Sequence, residues 1–203
     1  MTAEAYQHLA RVDPVMRRLI RQAPPCEIRR RQRSAYEALI RAVAHQQLNG
    51  KAADTITRRF LKLFPKTRFP TPQQIASVGD DAIRGAGFSR AKVAAIRDIA
   101  AKAHAGVVPH QRDLVKLSDD EIVARLTECR GVGRWTVEMF LMFTLARPDV
   151  LPGDDFGIRN GFRLAYGRKE MPKPKELLEF GERWRPFRTT ASWYLWRAVE
   201  LAD

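Results

Sequence analysis

The chain has 203 residues, 45% of them hydrophobic, with 36 Lys and Arg against 23 Asp and Glu and a formal net charge of +13. That length and apolar share suffice for a domain with a packed core, and the excess of cations points to a polyanionic partner, nucleic acid first, with a merely basic protein as the other reading. Two cysteines, Cys26 and Cys129, exclude a four-thiolate iron–sulfur cluster and a secreted disulfide scaffold; no stretch is apolar enough to span a membrane and charges run from the start through Gln22, so no signal peptide is read and a cytoplasmic setting is expected.

Alanine, leucine and arginine recur and β-branched alternation is scarce, so the chain reads as all-α. Residues 2–22 form a first helix, interrupted by Pro14 and ended by Pro24-Pro25. Arg29 to Arg33 is a basic run, either a solvated loop or a phosphate-facing surface. Tyr36, Leu39, Ile40, Val43 and Ala44 then fall on one helical face, and Gly50 suits the turn that ends this helix. Ala52, Ala53, Ile56, Phe60 and Leu63 repeat the pattern in the next helix, and the end between the two holds Gln46, Gln47 and Leu48. Thr71-Pro72 is an N-cap followed by proline at the first helical position. Residues 89–105 turn Val93, Ile96, Ile99 and Ala103 inward and Arg90, Lys92, Arg97 and Lys102 outward, a face either solvated or turned to nucleic acid. Residues 107–116 read as a loop.

Ser118 and Glu121 form a capping box ahead of a helix, with Leu117 and Ile122 placed for a hydrophobic staple. Gly131 and Gly133 allow a tight turn, after which Val137, Phe140, Leu141, Thr144 and Leu145 recur at helical spacing. The local structure expected is helix, glycine hairpin, helix. Backbone N–H groups from Gly131 to Arg134 would meet an anion at the positive end of the second helix, with Arg134 adding a full charge; a plain connector between core helices is the other reading. A carboxylate pair follows in Leu151-Pro152-Gly153-Asp154-Asp155. Residues 156–166 read as a helix with Phe156, Ile158, Phe162 and Leu164 partly buried. A short helix over 175–184 and a last one opened by Pro186, with Trp193, Trp196 and Val199, complete about ten short helices.

Residues 126–155 resemble the helix-hairpin-helix (HhH-GPD) base-excision DNA glycosylases. Gly133-Arg134-Trp135-Thr136 and Leu151-Pro152-Gly153-Asp154-Asp155 are most similar to the 3-methyladenine DNA glycosylase II branch, and the likeness extends over 36–60 and 185–196. The resemblance implies a compact two-lobed all-α domain with a catalytic cleft between the lobes. Lobe A would take about 1–35 and 148–203, lobe B about 36–147, and the helix-hairpin-helix about 118–146, with no counterpart to the extra N-terminal β-rich domain of some relatives. It implies an enzyme that flips alkylated purines of 3-methyladenine and 7-methylguanine type out of double-stranded DNA and removes them by hydrolysis. Such an enzyme would act as a monomer without cofactor or iron–sulfur cluster. Side chains offer no clustered metal ligands, although hairpin carbonyls hold sodium or potassium in relatives.

The same resemblance gives roles to residues. Asp155 matches the catalytic carboxylate, which stabilises the oxocarbenium-like sugar and orients or deprotonates water; its local alternative, helix N-cap, is compatible with that role. Asp154 more plainly makes the turn. Trp135, Trp196 and Phe156 match aromatic positions of a pocket for a cationic base, and Met139 stands where some relatives are aromatic; core packing is the alternative for the tryptophans. Leu48, beside Gln47, matches the leucine that fills the gap left by a flipped base, or is a core leucine at a helix end. Gly131, Val132, Gly133, Arg134 and Thr136 would hold the DNA backbone. Trp135 occupies the place of the Schiff-base lysine in bifunctional relatives, implying no strand cleavage. Two other functions share these features: a non-catalytic, damage-sensing DNA-binding module and a glycosylase for deaminated or oxidised bases.

Overall fold

The computed structural model describes residues 2–48 and 50–202; Asn49, inside the expected wedge loop, lies outside the described residues. The described residues form helices in the order α1 (Ala3–Val12), α2 (Pro14–Gln22), α3 (Ala35–His45), α4 (Gly50–Lys62), α5 (Pro72–Ser77), α6 (Asp80–Gly85), α7 (Arg90–His104), α8 (Gln111–Leu114), α9 (Asp119–Thr127), α10 (Arg134–Phe140), α11 (Phe156–Ala165), α12 (Pro174–Gly181) and α13 (Arg188–Glu200). A π-helical turn, Leu141–Leu145, continues α10, and a 3-10 turn, Glu182–Trp184, follows α12.

Helix starts follow from capping chemistry. Thr71 and Gln74 close a reciprocal box at α5, and Ser118 and Glu121 do so at α9, each satisfying N–H groups that the first turn leaves open. Asp13 begins α2 by accepting from Val15 N (2.9 Å) and Met16 N (3.3 Å), so Pro14 separates two helices instead of interrupting one. At the end of α3 the left-handed residue is Gln47 (φ 57°), not Gly50, which starts α4. The expected loop at 107–116 contains α8.

The chain divides into two compact units, one of residues 1–31 and 141–203 and the other of residues 32–140. The expected boundary near 147 therefore moves to the junction of α10 with the π-helical turn. In the unit of residues 32–140, α7 packs against α3, α5 and α6, and α10 packs against α3 and α9. Leu39, Val43, Phe60, Ile96, Ile99 and Val137 are fully or almost fully withdrawn from water and form its centre.

The other unit is centred on α11 against α13. A side chain at Gly161 would put its Cβ 1.8 Å from the Leu195 carbonyl oxygen, so only glycine permits this approach. Asp13 is 2% exposed and also accepts from Tyr166 Oη (2.5 Å) and Trp184 Nε1 (2.9 Å), tying α2 to the ends of α11 and the 3-10 turn. Residues 147–150 lie along the start of α13. Thr189 Oγ1 donates to the Arg147 carbonyl (2.6 Å) and accepts from Val150 N (2.9 Å), while the Arg188 guanidinium grips Asp149 from Nε (2.8 Å) and Nη2 (3.0 Å). This anchoring delivers the chain to Asp155 on a fixed course.

Candidate active site and nucleic-acid interface

The hairpin begins where α9 ends. Val132 N donates to the Cys129 carbonyl (3.0 Å), and Gly131 takes φ 76°, which a side chain would strain. Gly133 and Arg134 are exposed and α10 starts at Arg134, so the positive end of the helix meets solvent beside the glycines. Arg134 Nε donates to Glu138 one turn on (3.0 Å), which offsets part of its charge. The Val132 and Thr136 side chains are buried, so a phosphate here would meet their main-chain groups. Burial pushes the Cys129 thiol up to about 11, so no thiolate nucleophile arises at this turn at neutral pH.

Trp135 is 47% exposed and Met139, four residues on along α10, is half-buried, so the two share one helical face. Leu48 is 40% exposed, which removes the core-leucine reading. The Gln46 side chain, exposed at its amide, donates to the Gly131 carbonyl (2.9 Å) and joins this loop to the hairpin.

In the other unit, Asp155 is 8% exposed and is the N-cap of α11. Its Oδ1 accepts from Ile158 N (2.8 Å) and from Trp196 Nε1 (2.9 Å). Both donors are fixed: one is helix backbone, and the other belongs to an indole stacked on Phe143 (centroids 5.7 Å apart, planes 26° apart). Gly157 makes room for this, since a Cβ there would sit 2.9 Å from Trp196 Cδ1 and 3.2 Å from Asp155 Oδ1. Asp154 is exposed on the preceding turn. Phe156 is 67% exposed instead of partly buried, because it occupies the first turn of α11 on the face away from Ile158 and Phe162.

The sequence matches the family described as HhH-GPD superfamily base excision DNA repair protein over residues 40–186, a span that includes both the hairpin and Asp155. The chain belongs to this superfamily. It is 40% identical over 198 residues to DNA-3-methyladenine glycosylase 1 of Schizosaccharomyces pombe, covering 97% of this chain and 87% of that one. The alkylbase DNA glycosidase-like protein mag2 of the same yeast is 32% identical, over 97% of this chain and 93% of its own. Among solved structures, the S. pombe 3-methyladenine DNA glycosylase Mag1 in complex with abasic DNA superposes with a TM-score of 0.86, covering 99% of this chain and 98% of that one. A DNA-3-methyladenine glycosidase from Bacillus halodurans superposes at 0.88 with 31% identity, over 99% and 91%.

This HhH-GPD protein thus carries its sequence-predicted residues in two groups. Asp155, Phe156 and Trp196 are brought together around the start of α11. Gln47, Leu48 and the hairpin are joined in the other unit through Gln46. Among the described residues, no group of three His, Cys, Asp or Glu could hold a metal ion. Sequence reasoning missed the Trp196 N–H on Asp155, because donor and acceptor are 41 residues apart. It also gave Gln46 no task, although it stands two residues before Leu48 in the same turn.

Proposed function

We propose that this HhH-GPD protein removes alkylated purines from duplex DNA by hydrolysing the N-glycosidic bond, with Asp155 as the catalytic carboxylate. The observation that carries this reading is Asp155 itself: a nearly buried carboxylate with one oxygen pinned by two fixed donors. A charge held this way needs no reorganisation when a cation forms opposite it. The relatives named for 3-methyladenine support the substrate class.

In this mechanism the damaged nucleotide leaves the base stack, and Leu48 with Gln47 occupies the space it vacates. A purine alkylated at N3 or N7 is already cationic, so the C1′–N bond breaks with its electron pair passing to the ring and no proton is needed. Asp155 stabilises the sugar cation and orients a water whose oxygen bonds to C1′ while its proton passes to the carboxylate. Phe156, exposed beside Asp155 and Trp196, offers an aromatic face suited to a cationic base, and in the other unit Trp135 and Met139 share an exposed face of α10. Exposed backbone at Gly131, Gly133 and Arg134 meets phosphate. Trp135 stands in place of an amine nucleophile, so the reaction stops at an intact abasic site.

The test is base release from duplexes carrying defined lesions. Release of 3-methyladenine or 7-methylguanine is expected, with strand breaks only after alkali and no covalent enzyme–DNA species on borohydride treatment. A trapped adduct would sink the monofunctional assignment. Tight binding to abasic DNA without release of any base would leave a damage-sensing module instead.

A further inference from the structure

Helix α7 carries a row of side chains that grips both loops just assigned to DNA. Lys92 Nζ donates to the Ala44 carbonyl (3.1 Å) and the Gln46 carbonyl (2.8 Å) at the end of α3. One turn on, Ala95 lies so close to the hairpin that a Cβ on Gly131 would be 3.2 Å from its own. A further turn on, Asp98 Oδ2 accepts from Arg130 N (2.6 Å), and Lys102 Nζ donates both to Asp98 (2.9 Å) and to the Glu128 carbonyl. Residues 92, 95, 98 and 102 follow helical spacing, so a single face of α7 meets both loops. Lys92 and Lys102 are therefore committed to carbonyls of their own chain, whereas their sequence pattern suggested an outward basic face.

The grip falls immediately before a strained point. Gln47 has φ 57°, an uncommon conformation for a residue with a side chain, and such conformations persist only when the surroundings dictate them. Its predecessor Gln46 is held at both ends, by Lys92 on its carbonyl and by the Gly131 carbonyl on its amide. Desolvation lowers the Lys92 pKa, as expected for an ammonium lodged among carbonyls. Leu48 thus leaves a preset turn instead of a loose loop.

We propose that Lys92 and Gln46 are positioning residues for base extrusion: they hold the Leu48 loop at one fixed spacing from the hairpin, so that wedge and phosphate grip engage the same duplex together. The inference rests on the reading of Leu48 as the wedge. A loop ordered in advance need not be ordered during binding, and a small misplacement of an engaging group is costly in rate. Lys92 acts through Leu48 and touches no DNA.

The experiment uses the full chain and a duplex with 2-aminopurine beside a tetrahydrofuran abasic site, whose fluorescence rises when the neighbouring stack is opened. Lys92→Met should bind undamaged duplex as the parent does and lose the fluorescence rise. It should also release 3-methyladenine about 10- to 100-fold more slowly in single turnover. Lys92→Arg, which can still donate to two carbonyls, should restore most of both signals. In a Leu48→Ala background Lys92→Met should add little, since both changes act on the same step. Equal losses with and without Leu48 would mean a general structural role and overturn the proposal. Uniformly weaker binding to undamaged DNA would mean a phosphate contact and overturn it equally. Should Lys92→Met not fold, Gln46→Ala carries the same expectation, and a normal fluorescence rise with Gln46→Ala refutes it. A parent protein that opens the stack but releases no base counts against the glycosylase reading alone; one that does not open the stack counts against this inference.

Discussion

Asp155→Asn separates chemistry from architecture. The asparagine oxygen can stay where Oδ1 now accepts from Ile158 N at 2.8 Å and Trp196 Nε1 at 2.9 Å, and asparagine equals aspartate as an N-cap. What is lost in stability is the attraction of a full charge to the start of α11, about 0.3–1 kcal/mol. For a chain of this size that is a fall in Tm of at most about 2–4 °C. The loss in rate is far larger, because removing one preorganised electrostatic group typically costs about 10²–10³, or roughly 2.7–4 kcal/mol of barrier. Thermal melting, binding to abasic duplex and single-turnover release of 3-methyladenine from methylated DNA read the three quantities on one preparation. The expected result is a folded protein that binds and hardly turns over. Near-normal release would refute the assignment of Asp155. A slow mutant that also melts well below the parent would show that the cap, not the charge, had been removed.

Three further outcomes follow from the same geometry. Leu48→Ala should cost much less stability than the roughly 2–5 kcal/mol of a core leucine, because the side chain is 40% exposed, yet should slow base release from duplex DNA; a large fall in Tm with normal activity per folded molecule would reverse the assignment. Gly157→Ala would press a methyl against the Trp196 ring and Asp155 Oδ1 and should abolish release with little unfolding, whereas Gly161→Ala meets the Leu195 carbonyl and should destabilise the chain by about 1–3 kcal/mol or more, a contrast that denaturant titration and activity assays would expose or deny. Binding should weaken linearly in log affinity against log salt, and Arg134→Ala should reduce that slope by about one; a salt-independent affinity in a fluorescence titration would contradict the proposed phosphate contacts.

Features coded within a few residues were legible in the sequence. The N-cap at Thr71, the capping box at Ser118, the cap at Asp155 and the hairpin glycines each need only local chemistry, and all are where the spacing put them. Periodicity gave the buried face of α3 correctly, down to Leu39, Ile40 and Val43. What it could not give is what covers an outward face. Lys92 and Lys102 lie on the polar side of α7 by pattern, and only the return of the chain over α7 supplies their carbonyl partners. Glycine is the usual left-handed residue, which points the sequence reading to Gly50, while here the left-handed residue is Gln47, next to a glutamine bonded to Gly131 and Lys92. The burial of the Thr136 side chain is likewise something the motif does not encode.

The division of the chain bears on the order in which it can be assembled. Residues 32–140 form one uninterrupted unit, while the unit bearing Asp155 is made from two stretches far apart in sequence. The carboxylate of Asp13 cannot meet Tyr166 and Trp184, nor Asp155 meet Trp196, until those later residues have been synthesised. Contiguous units fold as they emerge, so the hairpin and the Leu48 loop can be shaped early, whereas the proposed catalytic group around Asp155 waits for α13. A chain stopped before α13 would hold the loops proposed to meet DNA without the Trp196 partner of Asp155, and deletion of α13 should abolish hydrolysis while leaving the fold of residues 32–140.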